Sequence, residues 1–450
     1  MRNAQRGGSA AELLSGNRSA DRARNDRRYT IYLIVIALAG LTLASYDYNL
    51  LVLAIPDIAR ELDLSATLVG SLIFFIAAAQ VVVTLVVGYT LDIVGRRRMW
   101  MLCLCAAALF TGLTYLVETF WQLVLVRMLA SSFAQAEFVV SITIVNEEVP
   151  ARRRGILYSL VQAGWPLGVL MASAVYLLFI GEGWRFVFLL GIVPMILVII
   201  GRYYIRESDR FRHLQALRAA HRAGDQAQVE SLLGRYHVDV SALGAATVGQ
   251  LFAQPGYVRR QLVLLSTVWL AYGASMAATN IFITDFLTRV KGFTAAQAGM
   301  LLLVSAGIGV LFYLLGGWLG ERWGRREVLI VTALLVPPLN LLFLLAHDHA
   351  VLVVVYFLIY QVTNGTWSGA GYAYQAESFP TRVRGAAVGF LGAMFAGGIL
   401  LGASLWTLLM TVSTPSVTWL VIAVGAAFGQ WLTLLLRRIP PGMALEEIAT

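Results

Sequence analysis

Three ionisable residues stand inside long apolar runs of this 450-residue chain: Asp47, Arg127 and Glu137. A charge at bilayer depth costs on the order of 2.5–3.5 kcal/mol on insertion scales, so such a residue is expected to have a task and a partner. The chemistry open to these three is reversible protonation. A carboxylate beside an arginine stays ionised, whereas the same group in a dry cleft favours its neutral form once the arginine is drawn away. Asp47 lies toward the far end of an outgoing helix, and Arg127 lies about 9 Å inside the same end of an incoming one. Their depths agree, and the two are expected to pair as a proton site; the bland alternative is a static ion pair. Glu137 stands about 15 Å beyond Arg127 on one helix, in a run of small residues (Ala130, Ser131, Ser132, Ala134, Ala136) that allows close helix approach. Three roles are open to it: a second proton carrier, an anchor for a cationic substrate, or a protonated carboxyl bonded to a neighbour. On this reading Arg127 is the only cation within the membrane, and the three charges sum to minus one.

The surrounding composition is that of a polytopic membrane protein. Hydrophobic residues make up 59% of the chain and charged residues 13%, with a mean hydropathy of +0.74; soluble domains have roughly 45–50% and 25%. A span needs about 20 mostly apolar residues. Such stretches occur near 30–54, 66–91, 98–117, 121–145, 155–180, 184–204, 261–287, 293–319, 327–346, 350–376, 385–411 and 416–436. The expected fold is therefore an all-α membrane protein of twelve transmembrane helices. Residues 1–28 form a disordered basic tail, 29–204 a first six-helix bundle, 205–260 a central loop of short solvated helices, 261–437 a second six-helix bundle, and 438–450 a second tail.

Of the 34 Lys and Arg residues, 29 fall in segments on one side; only Arg60, Arg185, Arg289 and Lys291 fall on the other, and Arg127 lies within a span. Positive loops stay in the cytoplasm, so both termini are expected there, in a cell membrane such as the bacterial inner membrane. The pI of about 9.7 does not imply nucleic acid, because no aromatic-interleaved basic face exists. Cys103 and Cys105 both sit in an apolar run, which supports neither disulfides nor a metal cage. His347-Asp-His349 has no third and fourth ligand nearby and reads as a loop. No metal or other cofactor is expected, and no nucleophile and base can be placed together, so an enzyme is not expected.

Two loop motifs recur at matched offsets. Asp92-Ile-Val-Gly95-Arg96-Arg97 returns as Glu321-Arg-Trp-Gly324-Arg325-Arg326, 229 residues on (95 to 324), and Glu147-Glu-Val-Pro150 through Arg154-Gly155 returns as Glu377-Ser-Phe-Pro380 through Arg384-Gly385, 230 on (150 to 380). The halves are a duplication, as in many secondary transporters, where the solute site lies between the repeats near the midplane. Gly95 permits a tight turn. Asp92 can accept from a helix N-terminus or pair with an arginine of a neighbouring helix. Together the repeated acids and arginines are expected to form a cytoplasmic gate.

Across residues 29–437 the chain resembles the major facilitator superfamily, and within it the sugar-porter and metabolite:proton symporter branches. The resemblance rests on both motif pairs, on Arg127 ahead of Glu147, on Gln162 after Arg154-Gly155, and on Gly183-Trp184-Arg185 and Arg206-Glu207-Ser208 at the borders of the sixth span. It implies rocker-switch alternating access. The chain departs from hexose carriers where their paired glutamines would fall on Ala274 and Ser275, and where their tenth-span tryptophan would fall on Tyr372. Gln162, Trp165, Tyr272, Asn280, Asn364, Trp367 and Tyr372 fall at midplane depth on the fifth, seventh and tenth spans and are candidates to bind substrate. The expected function is import of a small polar metabolite with protons, an organic acid by preference, by a monomer whose partners are substrate, protons and lipid. The alternative is a proton-coupled exporter of drugs or cations, suggested by Glu137 and by the Gly164-Trp-Pro166 bend.

Overall fold

The computed structural model describes residues 7–64, 66–149, 154–233, 252, 256–380 and 383–440. Among them, twelve helices are long and apolar enough to cross a membrane. Spans 1 to 6 are Arg28–Glu61, Ser71–Val94, Arg96–Leu116, Phe120–Glu148, Gly155–Glu182 and Trp184–Arg202. Spans 7 to 12 are Gly256–Ile281, Gln297–Arg322, Arg325–Leu345, His349–Glu377, Arg384–Val412 and Pro415–Leu435. The first helix begins well before the membrane, at Gly7. Residues 7–28, expected to be disordered, are helical instead: the segment holds Ala, Leu, Glu and Arg, no proline interrupts it, and the span supplies a ready nucleus from which helix propagates.

Local chemistry sets the turns. Gly95 and Gly324 follow spans 2 and 8 at φ 113° and 111°, a region closed to most side chains, and each opens the next helix directly. Thr119 and Thr294 start spans 4 and 8 with reciprocal capping boxes to Gln122 and Gln297. Span 5 bends at Ala163, where Pro166 has no N–H to give to the carbonyl of Gln162. Spans 7, 10 and 12 widen to π winding over Ala277–Ile281, Gln361–Thr366 and Leu420–Gly425, a departure that often marks functional segments. Between the halves, helices Asp209–Ala223 and Gln226–Leu233 pack on each other through Leu214, Leu217, Ala220 and Val229. The remainder of the expected central loop, apart from residue 252, and the tail from 441 onward lie outside the described residues.

Glycines bring the two halves together. A Cβ on Gly389 of span 11 would stand 2.5 Å from the Cα of Gly88 in span 2, and one on Gly155 of span 5 would stand 3.0 Å from the carbonyl oxygen of Gly317 in span 8. Gly88 and Gly317 occupy equivalent places in the duplication, so both crossings use glycine to bring backbone close to backbone, although at Gly317 the Ser159 side chain also fills the space a Cβ would take. Gly389→Val is expected to force spans 2 and 11 apart, lowering the melting temperature and raising labelling of cysteines placed between the halves on the arginine-rich face. Wild-type values of both would show that this crossing tolerates a gap.

Candidate functional site

On the arginine-rich face the carboxylates that end spans 2 and 8 reach across to the opposite half. Asp92 accepts from the backbone N–H of Ala386 at 2.8 Å, at the start of span 11, and pairs with Arg96 at 3.0 Å. Glu321 accepts from the N–H of Ile156 at 2.9 Å, at the start of span 5. Each therefore places an anion on the N-terminal end of a helix from the other half, where unpaired N–H groups and the helix dipole favour it. Glu147 takes Arg96 at 3.2 Å from its own half and Arg384 at 3.3 Å from the other, with Ser208 donating at 2.7 Å. Its counterpart Glu377 takes Arg325 at 3.0 Å. Arg96, Glu147 and Arg384 are almost wholly buried. The side chain of Arg154, another arginine of the expected gate, lies outside the described residues.

The second arginine of each loop behaves differently from the expected gate. Arg97 donates to the carbonyl of Tyr203 at 2.7 Å, just past span 6, and Arg326 to that of Leu434 at 2.6 Å, at the end of span 12. Both satisfy unpaired carbonyls of a helix end within their own half, a role the motif does not announce. The central segment adds contacts that the motif did not suggest either. Glu207 accepts from the N–H groups of Arg96 and Arg97 at 2.9 and 3.2 Å, Arg218 donates to the carbonyl of Asp92 at 3.0 Å, and the Phe211 ring lies 4.5 Å from the Arg96 guanidinium. Half-burial there pulls Arg218 below its ordinary pKa, and all these contacts are to the first half.

Deeper in the first half, Arg127 holds Asp47 with two bonds, 3.1 Å to Oδ1 and 2.7 Å to Oδ2. Thr111 donates to Oδ1 at 2.7 Å, and the ring of Phe188 lies 4.8 Å from the guanidinium. Asp47 also forms part of the wall of a narrow, partly open crevice, with Tyr48, Gln80, Ser131, Gln135, Phe138 and Trp165 among its lining. Of the candidate substrate residues, Trp165 lines this space. Tyr372 of the second half adjoins it, edge-on to Phe138 at 4.8 Å between ring centres. Tyr272 and Trp367 stack at 5.2 Å within a cluster that includes Trp269 and Phe395. Asn280 and Asn364 sit in the π-wound segments and bond to the neighbouring Thr279 and Thr363, and Gln162 is buried at the span 5 bend; none of these three lines the crevice. Gln80 and Gln135 do, and an amide in an otherwise apolar run was the signal that could have found them.

Glu137 is not alone. Arg202, the last residue of span 6, turns inward to form an ion pair with it, and Trp100 donates to the same oxygen at 2.7 Å. The Arg202 guanidinium lies 4.2 Å from the Trp100 ring centre and donates to its carbonyl at 3.2 Å. Arg127 is therefore not the only cation at depth, and the four charges sum to zero. An arginine at a helix end ordinarily snorkels toward water, which is why its position read as a loop charge. Here Gly40 leaves the room: a Cβ there would meet Glu137 at 2.8 Å.

A profile of the Major Facilitator Superfamily matches residues 37–311 and, a second time, residues 263–448. The chain belongs to that superfamily. It is 26% identical over 391 residues, 83% of this chain and 90% of the other, to a Haemophilus influenzae protein whose name assigns it to metabolite transport without a stated substrate. The cis,cis-muconate transport protein of Acinetobacter baylyi is 24% identical over 369 residues, 79% of this chain and 81% of that one. Among solved structures, the proton:xylose symporter XylE bound to 6-bromo-6-deoxy-D-glucose aligns over 94% of this chain and 99% of its own with a TM-score of 0.71 at 18% identity, which establishes the fold. As a member of the superfamily the chain is a membrane transporter of small molecules, not an enzyme.

Two outcomes are expected from these contacts. Glu147→Ala leaves Arg96 and Arg384 buried without a shared anion, and removing one partner of a buried pair costs roughly 3–5 kcal/mol. That cost falls on the closed arrangement, so cysteine labelling from the arginine-rich face, on a background lacking Cys103 and Cys105, should rise; unchanged labelling removes this network from the gate. Glu137→Gln should lower the melting temperature by stranding Arg202, and adding Arg202→Met should restore most of it. A double variant no more stable than the single would show that the two residues are not energetically paired.

Proposed function

We propose that this transporter is a proton-coupled symporter importing a small organic acid by rocker-switch alternating access, acting as a monomer in a bacterial plasma membrane. The arginine-rich face and both termini are then cytoplasmic, in keeping with the loop charges. The observation that carries the proposal is the double duty of Asp47, which neutralises Arg127 and also walls the crevice. With the pair intact, the crevice offers an anion no free cation. A proton arriving at Asp47 releases Arg127, whose planar donors suit a carboxylate. The order is then proton first and acid second, and neither is retained without the other.

Reorientation follows when the charge pairs between the halves break, because the helix ends captured by Asp92 and Glu321 must part for that face to open. Inside, loss of the proton returns Asp47 to Arg127 and expels the acid. The muconate protein's name, which is that of a diacid, and the proton symport named for XylE support this reading. Export of cations has less support, since Glu137 is already matched by Arg202.

A thermal-shift screen of acids on purified protein supplies a substrate, because a ligand of the folded state raises its apparent stability. In proteoliposomes Asp47→Asn should abolish accumulation driven by an inward proton gradient and keep exchange of that acid across the membrane. Accumulation against its gradient by Asp47→Asn would make the Asp47–Arg127 pair structural.

A further inference from the structure

The duplication repeats one cluster of cations and rings where the helices of the arginine-rich face leave the membrane. Just past span 6, Arg206 lies over the ring of Tyr29 from the start of span 1, at 5.2 Å; just past span 12, Arg437 lies over that of Tyr257 from the start of span 7, at 5.1 Å. Arg97 and Arg326 cap the ends of spans 6 and 12 in the same way. The halves part at the next residue, because Gly95-Arg-Arg continues with Arg98 and Gly324-Arg-Arg with Glu327. Glu327 pairs with Arg438 at 3.1 Å and stands 4.0 Å from Arg326, so the second half places an anion of its own among its arginines. In the first half, Arg98 and Arg206 are exposed, and among the described residues no ion pair joins Arg97, Arg98 or Arg206 to an acid. The neighbouring acid, Glu207, is taken up by the backbone N–H groups of Arg96 and Arg97.

We infer that the ends of spans 1, 3 and 6 on this face hold the headgroup of an anionic phospholipid, its phosphate on Arg98 and Arg206. The guanidinium group presents a fork of donors that matches phosphate oxygens, and basic residues beside a membrane span are drawn to anionic lipid. Tyr203 and Tyr204 stand there 67% and 70% exposed, with their rings perpendicular, as tyrosines do at headgroup level. Deeper along the same helices Leu102, Leu197 and Ile200 are exposed and offer a surface to acyl chains. A free phosphate would meet the arginines and leave these tyrosines and leucines uncovered, which is why the occupant is a lipid. The second half is expected to hold none, since Glu327 already supplies the anion.

The test is native mass spectrometry of the purified full chain in neutral detergent, with equal amounts of phosphatidylglycerol and phosphatidylcholine. The wild type should retain one phosphatidylglycerol in preference. An arginine beside an anionic headgroup strengthens binding about fivefold, so Arg206→Gln should weaken retention by about that factor and the charge reversal Arg98→Glu by about 25-fold. Glu327→Arg, which makes the second half resemble the first, should add a second retained phosphatidylglycerol, a gain that no loss of folding can mimic. Arg259→Gln, exposed at the start of span 7, should change neither. Equal retention of the two lipids overturns the site, as does a preference that survives both Arg98→Glu and Arg206→Gln. No gain in Glu327→Arg would overturn the role given to that residue. Inorganic phosphate that displaces the lipid, and raises the melting temperature as far as phosphatidylglycerol does, would make this a site for free anions and overturn the lipid assignment.

Discussion

Capture of a helix N-terminus by a carboxylate from the opposite half is the interaction on which the rest of this structure depends. Asp92 on Ala386 and Glu321 on Ile156 are the same contact made twice by a duplicated chain. Neither can form unless the backbones of spans 2 and 11, and of spans 5 and 8, come close enough for a short side chain to span the gap. That requirement explains the glycines at the crossings, since a side chain at Gly88, Gly389 or Gly155 would hold the helices apart. It also explains why the loops after spans 2 and 8 turn at once on Gly95 and Gly324: the first arginine of the next helix is thereby set beside the acid that ends spans 4 and 10. Anions on helix ends, arginines on anions and glycines at the seam form one closure.

The halves divide the chemistry unequally. Both described ion pairs at depth, Asp47–Arg127 and Glu137–Arg202, belong to the first half. The second half contributes an aromatic and hydroxyl-bearing wall, with π turns in spans 7 and 10. Glu207, Ser208 and Arg218 tie the start of the central segment to the first half, and Phe252 of the same segment meets Phe390 of span 11 in the second. The duplicated halves thus differ: the described ion pairs at depth lie in one and an aromatic wall in the other, with Phe138 and Tyr372 where they meet.

Most of the architecture was legible because membranes impose coarse rules: span length, loop charge and a repeated motif are all properties of sequence. The pairing of Asp47 with Arg127 was legible for the same reason, since two charges at equal depth in one bundle have few other partners. What was hidden depended on side-chain direction. Arg202 sits at a helix end and could point either way; only the space left by Gly40 and the flat face of Trp100 turn it inward. Arg97 and Arg326 lie one residue from arginines that enter the buried network, and the helical turn between neighbours sends them to Tyr203 and Leu434 instead. Gln162, Asn280 and Asn364 stand at midplane depth, yet depth alone does not say which face of a helix meets the crevice. The helical start at Gly7 was missed because polar composition suggests disorder even where a long span can propagate helix outward.

The Glu137–Arg202 pair has an electrical consequence. A charge carried across the full membrane potential exchanges about 2.3 kcal/mol per 100 mV, so a carrier that moves unbalanced charge is driven or stalled by voltage. With Glu137 matched by Arg202 and Asp47 by Arg127, the two pairs contribute no net charge when the unloaded first half rocks. In the proposed symport, with Asp47 protonated and a monoanion on Arg127, the sum is again zero. On that mechanism both crossings would be blind to the potential across the membrane, and uptake of a monovalent acid would respond to the pH difference and not to voltage. A dianion, by contrast, would carry one uncompensated negative charge inward against the potential of an energised cell.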